Sequence, residues 1–318
     1  MFPVLDMDKK QLKIIFVGTP EISAYVLEAL IQDGYIISGV IAQPDRPVGR
    51  KGELEKVPTK IIAEKYQIPV FQPSKIRQDY SFIKEINPDI IITLAYGQIV
   101  PKEVLNIPQY GCLNLHGSLL PKYRGAAPIQ YALINGEECT GMSLMEMVEA
   151  MDAGKVYAQQ MIKIDEKDNA TTLFKKMGEA AKQLILEQLP AYIDGQLVGI
   201  PQDDTLVTFA PSIKPEQEKL SLSYSTKQML GWIKGLSENP GAYLLYEGQK
   251  LKIYQAEKYS DDVSEEVGQI VIADKRGFVL QCLDGQINLL EVQLAGKKKM
   301  DYKSFLNGHQ DILNKKLD

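Results

Sequence analysis

The chain has 318 residues, which is enough for about two domains of ~150 residues each. Apolar residues make up 45% of it and charged residues 24%, a balance that excludes an intrinsically disordered or fibrous protein. The formal net charge of -5 excludes a uniformly basic surface, so any contact with a nucleic acid has to use a local patch.

The N-terminus predicts neither export nor membrane insertion. The first ten residues lack the charged and apolar regions of a signal peptide. No apolar run approaches the ~20 residues of a membrane span, so we expect a cytoplasmic protein. Cys112, Cys139 and Cys282 are odd in number and share no metal-ligand spacing, so we expect neither a structural disulfide nor a zinc site.

The first half alternates strand and helix patterns. Leu12 to Val17 is an apolar, β-branched run, and after Gly18-Thr19-Pro20 the apolar residues recur at helical spacing. Further apolar runs occupy 36–42, 90–94, 111–115 and 142–147. This alternation predicts an α/β fold with a parallel sheet and helices on both faces. The Gly18 turn lacks the full G-x-G-x-x-G motif, which disfavours a dinucleotide site.

The second half changes character after a helical pattern over 171–193. A polar stretch with three prolines follows and is typical of a surface linker. A helix is predicted over 227–235, and short apolar runs occupy 243–246, 251–255, 268–273, 278–282 and 287–292. Such short strands between Gly and Asp turns predict a small barrel or sandwich. We place the boundary at residue 208, which gives domains 1–207 and 208–318.

Two polar residues stand out in the run at 111–115 and directly after it. Asn114 and His116 are two residues apart, so on a strand their side chains point to the same side. Gly117, Ser118 and Pro121 then break the strand. An amide and an imidazole are therefore aimed from a rigid strand into a loop.

The surrounding segment resembles a motif of the methionyl-tRNA formyltransferases and, more loosely, of the wider class of enzymes that use 10-formyltetrahydrofolate. The shared residues are Asn-x-His, Ser-Leu-Leu-Pro and Arg-Gly-Ala-Ala-Pro, which lie here within 114–128. The resemblance extends to segments at 43–50, 95–97, 206–208, 240–243 and 295–298. It implies a Rossmann-like parallel-sheet formyltransferase domain followed by a small β-barrel of the oligonucleotide-binding type.

The resemblance also implies an activity: transfer of the formyl group of 10-formyltetrahydrofolate to the α-amino group of methionine on initiator methionyl-tRNA. The reaction is a direct attack through a tetrahedral intermediate and requires neither a metal ion nor a covalent enzyme intermediate. Asn114 and a protonated His116 can donate to the oxyanion. Asp152, at the matching family position, is expected to act as base or proton relay and to orient His116. Glu146 and Glu149 are the alternative carboxylates.

Binding residues follow from the same resemblance. Ser118, Leu119, Leu120 and Pro121 are expected to give backbone contacts to the folate, and Tyr96 with Gly97 to form a wall of the pterin pocket.

In the family, a loop matching residues 44–51 inserts at the end of the tRNA acceptor stem. We therefore expect Arg46, Arg50 and Lys51 to contact tRNA, with Arg50 decisive. On the second domain the candidate basic patch consists of Lys214, Lys297, Lys298 and Lys299. A monomer is expected.

Two alternatives stay open. The same chemistry could serve another acceptor, such as a glycinamide ribonucleotide or a nucleotide-linked amino sugar. The chain could also be an RNA-binding protein whose first domain has lost activity. The Arg50 loop and the second domain favour tRNA over the small acceptors, and the presence of Asn114, His116 and Asp152 argues against lost activity.

Overall fold

The computed structural model describes residues 11–48 and 53–318. Arg50 and Lys51 lie outside these residues. The chain divides into two compact units, and the first consists of Met1–Pro128, Thr140–Ile162 and Phe174–Pro211. The second takes Ile129–Cys139 and Lys163–Leu173 in addition to Ser212–Asp318. The boundary at residue 208 stays a prediction.

The strands and helices of the first half follow the alternation in the sequence. Its strands are β1 (Lys13–Gly18), β2 (Ile36–Ile41), β3 (Arg46–Val48), β4 (Glu53–Glu55), β5 (Val70–Phe71), β6 (Ile90–Leu94), β7 (Cys112–His116), β8 (Cys139–Glu146) and β9 (Val156–Lys163). Its helices are α1 (Glu21–Gln32), α2 (Pro58–Lys65), α3 (Ser81–Ile86), α4 (Lys102–Leu105), α5 (Pro128–Ile134) and α6 (Ala170–Ile193).

Seven of these strands form one sheet in the order β5-β2-β1-β6-β7-β8-β9. The pairs from β5 to β7 are parallel, which confirms the α/β fold. Strand β8 runs antiparallel to β7, a detail that the alternation of strands and helices does not specify. Strand β6, in the middle of the sheet, is buried along its whole length, as expected of a parallel strand covered on both faces. The chain leaves β1 in one direction and returns beside it at β6, and ligands of such sheets bind at the carboxyl ends of the strands near this reversal.

The second unit contains an antiparallel sheet packed on helices. Its elements are α7 (Thr226–Leu236), β10 (Ala242–Tyr246), β11 (Gln249–Ser260), β12 (Ile270–Asp274), β13 (Gly277–Cys282), β14 (Gly285–Leu294), β15 (Met300–Asp301) and α8 (Tyr302–Asn307). The strand order is β10-β11-β14-β13-β12, with β15 beside β14. Register shifts bend β11 at three places, as strands that coil in small barrels require. Met229, Trp232, Phe278 and Phe305 lie in its apolar core. The predicted small β domain is confirmed.

Within the described residues, no helix combines the length and hydropathy that crossing a membrane would require.

Candidate active site

Strand β7 carries the predicted amide and imidazole to the carboxyl edge of the sheet. It pairs with β6 on one side and with β8 on the other, and the register sets Asn114 between Thr93 and Met145. Asn114 is half-buried, and its side chain has no hydrogen-bond partner within residues 11–48 and 53–318. A primary amide held by a rigid strand can donate a hydrogen bond to a substrate oxygen.

The imidazole of His116 is buried and held from both sides. Its Nε2 lies 2.9 Å from the carbonyl oxygen of Tyr123, and its Nδ1 lies 3.6 Å from Oδ2 of Asp152. A carbonyl oxygen only accepts, so Nε2 carries the hydrogen and donates it. The nitrogen that can gain or lose a proton is therefore Nδ1, which faces the carboxylate.

Asp152 occupies an unusual backbone conformation. Its φ of 52° lies in the left-handed region, which costs a residue with a side chain about 1–2 kcal/mol. Its Oδ2 accepts a hydrogen bond of 2.8 Å from the backbone N–H of Gly125. Gly154 passes so close to Glu146 that an added Cβ would lie 2.0 Å from the carbonyl oxygen of that residue. The loop is thus forced into one shape, with the carboxylate directed at His116.

The side chain of Gln202 forms hydrogen bonds to the backbone of this loop. The sequence analysis did not identify this residue. Its Nε2 donates to the carbonyl oxygens of Asp152 at 2.7 Å and Gly154 at 2.8 Å. Its Oε1 accepts from Nε of Arg124 at 3.0 Å. The Arg124 guanidinium is buried and also reaches Asp204 at 3.2 Å.

The competing carboxylates are placed differently. Glu149 forms an exposed ion pair with Lys102 at 3.6 Å. The backbone N–H of Glu146 donates to the carbonyl oxygen of Lys155, across the neck of the Asp152 loop. Asp152 is the carboxylate that the structure brings to the imidazole.

The loop after β7 is preformed by hydrogen bonds to β8 and β9. Ser143 donates to the Ser118 carbonyl oxygen at 2.6 Å and accepts from the Leu120 N–H at 3.2 Å. Gln159 donates to the Leu120 carbonyl oxygen at 3.0 Å and to the Ser143 hydroxyl at 2.8 Å. The Ser118 hydroxyl itself donates to the Lys122 carbonyl oxygen. Several backbone groups at 118–121 thus already have partners, and the role of all four residues in folate binding stays a prediction.

The segment after β6 combines core packing with an open backbone. The ring of Tyr96 is buried beside Ile15 and Val17, and burial raises the pKa of its hydroxyl to about 12. The exposed Gly97 has a φ of 84°. The hydroxyls of Thr93 and Tyr96 are buried without a partner in the described part of the chain. The role of Tyr96 and Gly97 in a pterin pocket stays a prediction.

Arg46 opens a short hairpin in which β3 pairs with β4, and it stands opposite Glu55. The base of this loop is fixed by Asp45, which binds Lys60 at 2.5 Å and Gln72 at 2.8 Å. The Lys60 ammonium and the Gln72 amide keep the pKa of Asp45 below its usual range, against the opposing effect of burial. The exposed Arg46 therefore directly follows a residue whose position is fixed by hydrogen bonds.

The lysines of the second unit differ in their surroundings. Lys214, Lys297 and Lys298 are exposed. Lys299 forms ion pairs with Glu238 at 2.8 Å and Glu291 at 3.0 Å, and it lies over the ring of Tyr254. Lys297 and Lys298 thus present more uncompensated charge than Lys299 does.

Known proteins share this chain's organisation. A family model described as "Formyl transferase" matches residues 12–189, and one described as "Formyl transferase, C-terminal domain" matches 212–310. A methionyl-tRNA formyltransferase of Lactobacillus acidophilus is 48% identical over 93% of this chain and 95% of its own length. One from Bacillus thuringiensis is 43% identical over 96% of this chain and 98% of its own.

Solved structures agree in fold. An N-formyltransferase from Helicobacter canadensis, with folinic acid and dTDP-3-aminofucose, has a TM-score of 0.67 at 17% identity, over 88% of this chain and 99% of its own. HypX from Aquifex aeolicus, in complex with tetrahydrofolic acid, has a TM-score of 0.66 at 16% identity; the match covers 95% of this chain and about half of HypX, 48%. From its domains and its curated relatives, the chain belongs to the methionyl-tRNA formyltransferases, enzymes that transfer a formyl group from 10-formyltetrahydrofolate to initiator methionyl-tRNA.

Proposed function

We propose that the chain formylates the α-amino group of methionine on initiator methionyl-tRNA by direct attack of the amine on the formyl donor, through a tetrahedral intermediate. The observation that carries this mechanism is the Asn114 amide on the same strand as the buried His116 imidazole, which faces the half-buried carboxylate of Asp152 at the carboxyl edge of the sheet. The donor supplies an electrophilic formyl carbon. The chain supplies hydrogen bonds, a proton acceptor and a fixed geometry.

The developing negative charge on the formyl oxygen needs donors that are already in place. Asn114 supplies N–H groups from a strand that does not have to move. His116, once Nδ1 is protonated, adds positive charge next to it, and Asp152 stabilises that charge from 3.6 Å.

The attacking nitrogen must lose protons. An α-amino group with a pKa of about 7.7 yields the first one readily near neutral pH. The second is released as the new C–N bond forms, and it passes to the His116–Asp152 pair. When the tetrahedral intermediate collapses, the bond between the formyl carbon and the folate nitrogen breaks, and the pair returns this proton to that nitrogen, which leaves as part of tetrahydrofolate. The Tyr123 carbonyl keeps the ring in the orientation that presents Nδ1 to the carboxylate.

Substrate binding is divided between the two units. Ser118, Leu119, Leu120 and Pro121, together with Tyr96 and Gly97, hold the folate in this proposal. Arg46, Arg50 and Lys51 contact the end of the tRNA acceptor stem, and Lys214 with Lys297, Lys298 and Lys299 contacts the RNA backbone. We also propose that the enzyme works as a monomer in the cytoplasm, with domains that meet at residue 208.

The test is transfer of labelled formyl from 10-formyltetrahydrofolate to four acceptors: methionylated initiator tRNA, methionylated elongator tRNA, glycinamide ribonucleotide and a nucleotide-linked amino sugar. We expect label on the initiator species alone. Label on a small amine instead would keep the first-domain chemistry and reject the proposed acceptor. Binding of tRNA without transfer to any acceptor would reject the catalytic proposal.

A further inference from the structure

The loop at 152–154 begins with a residue in an uncommon backbone conformation. Asp152 lies in the left-handed region, where residues with a side chain are uncommon unless the surroundings fix them. Apart from its contact with the imidazole, its carboxylate accepts a hydrogen bond from the Gly125 N–H. Something else must hold the backbone, because a carboxylate that turned away would leave His116 without its partner.

Gln202 makes the bonds that can do this. Both of its donors go to the loop, one to each of the carbonyl oxygens of Asp152 and Gly154. Its acceptor goes to Arg124, a buried side chain tied in turn to Asp204. A primary amide has two donor hydrogens and one carbonyl oxygen, and each of the three sites is engaged here.

A second contact, from the backbone N–H of Gly125, also fixes Asp152, and it comes from the residue next to Arg124. Gly125, which donates to Asp152, directly follows Arg124, whose backbone pairs with the Gln202 segment through Thr208 and Ala210. Asp152 is thus held by two hydrogen bonds: its backbone carbonyl accepts one from Gln202, and its carboxylate accepts one from the Gly125 N–H.

We propose that Gln202 is a positioning residue for the formyl transfer: its amide clamps the backbone at Asp152 and Gly154 so that the carboxylate faces His116, and Arg124 holds the amide in place. Gln202 acts through Asp152 and not on the substrate. The part of the proposal that concerns turnover rests on the proposed function.

Two variants remove the clamp in different ways. Gln202→Glu keeps the shape and the contact with Arg124 but turns an oxygen toward two carbonyl oxygens. Gln202→Leu removes the hydrogen bonds without adding charge. In both, we expect kcat to fall about tenfold or more while KM for methionyl-tRNA stays within about twofold, because transition-state geometry is lost and ground-state binding is kept. Gln160→Glu is the matched control: this half-buried β9 amide binds Gln183, and both parameters should stay within about twofold.

A double variant tests whether the effect passes through the carboxylate. If Gln202 only positions Asp152, Asp152→Asn/Gln202→Leu should turn over within about twofold of Asp152→Asn alone, because residues that act as one unit are not additive. Losses that multiply would overturn the proposal, and so would wild-type kcat in Gln202→Leu.

Hydrogen exchange of the Gly125 amide gives a readout that needs no substrate. We expect it to quicken about tenfold or more in both Gln202 variants and not in Gln160→Glu, since the bond to Asp152 opens with the loop. If the Gly125 amide exchanged as slowly in the Gln202 variants as in the wild-type chain, the proposal that Gln202 holds the loop would be wrong. If the wild-type chain formylates no tRNA, the proposed function fails, while this exchange measurement still decides whether Gln202 holds the loop.

Discussion

At the scale of single residues, the imidazole and the carboxylate have separate tasks. The Nε2 hydrogen of His116 is committed to the Tyr123 carbonyl, so exchange of a proton is confined to the side that faces Asp152. Asp152 in turn uses Oδ2 for both Gly125 and the imidazole. A neutral amide in its place could still accept from Gly125 but could not stabilise an imidazolium.

We therefore expect Asp152→Asn and His116→Ala each to lower kcat by about 10²-fold or more, with tRNA affinity unchanged, because both groups serve charge development and proton transfer. Single-turnover transfer and filter binding measure the two quantities. Glu149→Gln is the control, since this nearby acid is exposed and paired with Lys102, and it should retain full kcat. An equal loss in Glu149→Gln would contradict the assignment of Asp152.

The sequence predicts part of this site and not the rest, for a physical reason. Asn114 and His116 converge because strand geometry sets i and i+2 on one side. Gln202 lies in a polar stretch without periodicity, 50 residues from Asp152 along the chain, and only the fold brings its amide to the loop. Ser143 is equally hidden, because an apolar strand does not reveal which of its polar residues bonds a neighbouring loop.

At the scale of elements, segments with a clear apolar pattern were predictable, and segments without one were not. The helix α6 and strands β10 to β14 lie close to the ranges that the patterns predict. The hairpin of β3 and β4 has three residues in each strand, most of them polar or proline, and carries no alternating pattern. In strand β9, half-buried and exposed residues alternate in the structure. The sequence does not show this alternation, because the two adjacent glutamines at the centre of the strand interrupt the pattern of apolar and polar residues.

Two helical glycines should respond in opposite ways to alanine. A Cβ at Gly178 in α6 would meet Ile22 and Tyr25 at ordinary contact distance, 3.6 Å. Gly178→Ala should therefore raise the free energy of unfolding by about 0.5–1 kcal/mol, because Ala favours helices over Gly. A Cβ at Gly231 in α7 would lie 2.4 Å from the Ile134 carbonyl oxygen.

Gly231→Ala should accordingly lower the free energy of unfolding by about 1–3 kcal/mol through overpacking. Urea unfolding followed by circular dichroism compares both variants with the wild-type chain. A stabilised Gly231→Ala would mean that α7 can move away from α5 at no cost, contrary to the packing described.

At the scale of the whole molecule, the negative net charge of the chain disfavours binding of the proposed partner, tRNA. The chain carries a net charge of -5, and RNA is a polyanion, so long-range repulsion opposes binding at low salt. Affinity then has to come from local cations that displace counterions from the phosphates. The exposed Lys297 and Lys298 are such cations, and local charge should matter more than net charge.

The double variant Lys297→Ala/Lys298→Ala tests this. We expect it to weaken tRNA binding about tenfold near 0.15 M salt and to reduce the slope of log Kd against log salt by about 2, one for each lost phosphate contact. Lys65→Ala/Lys182→Ala, on the exposed surfaces of α2 and α6, changes the net charge by the same amount and should leave the slope unchanged. Equal slopes in the wild-type chain and in the Lys297/Lys298 variant would remove the patch from the RNA surface. Equal losses in both double variants would show instead that net charge, and no particular patch, controls the affinity.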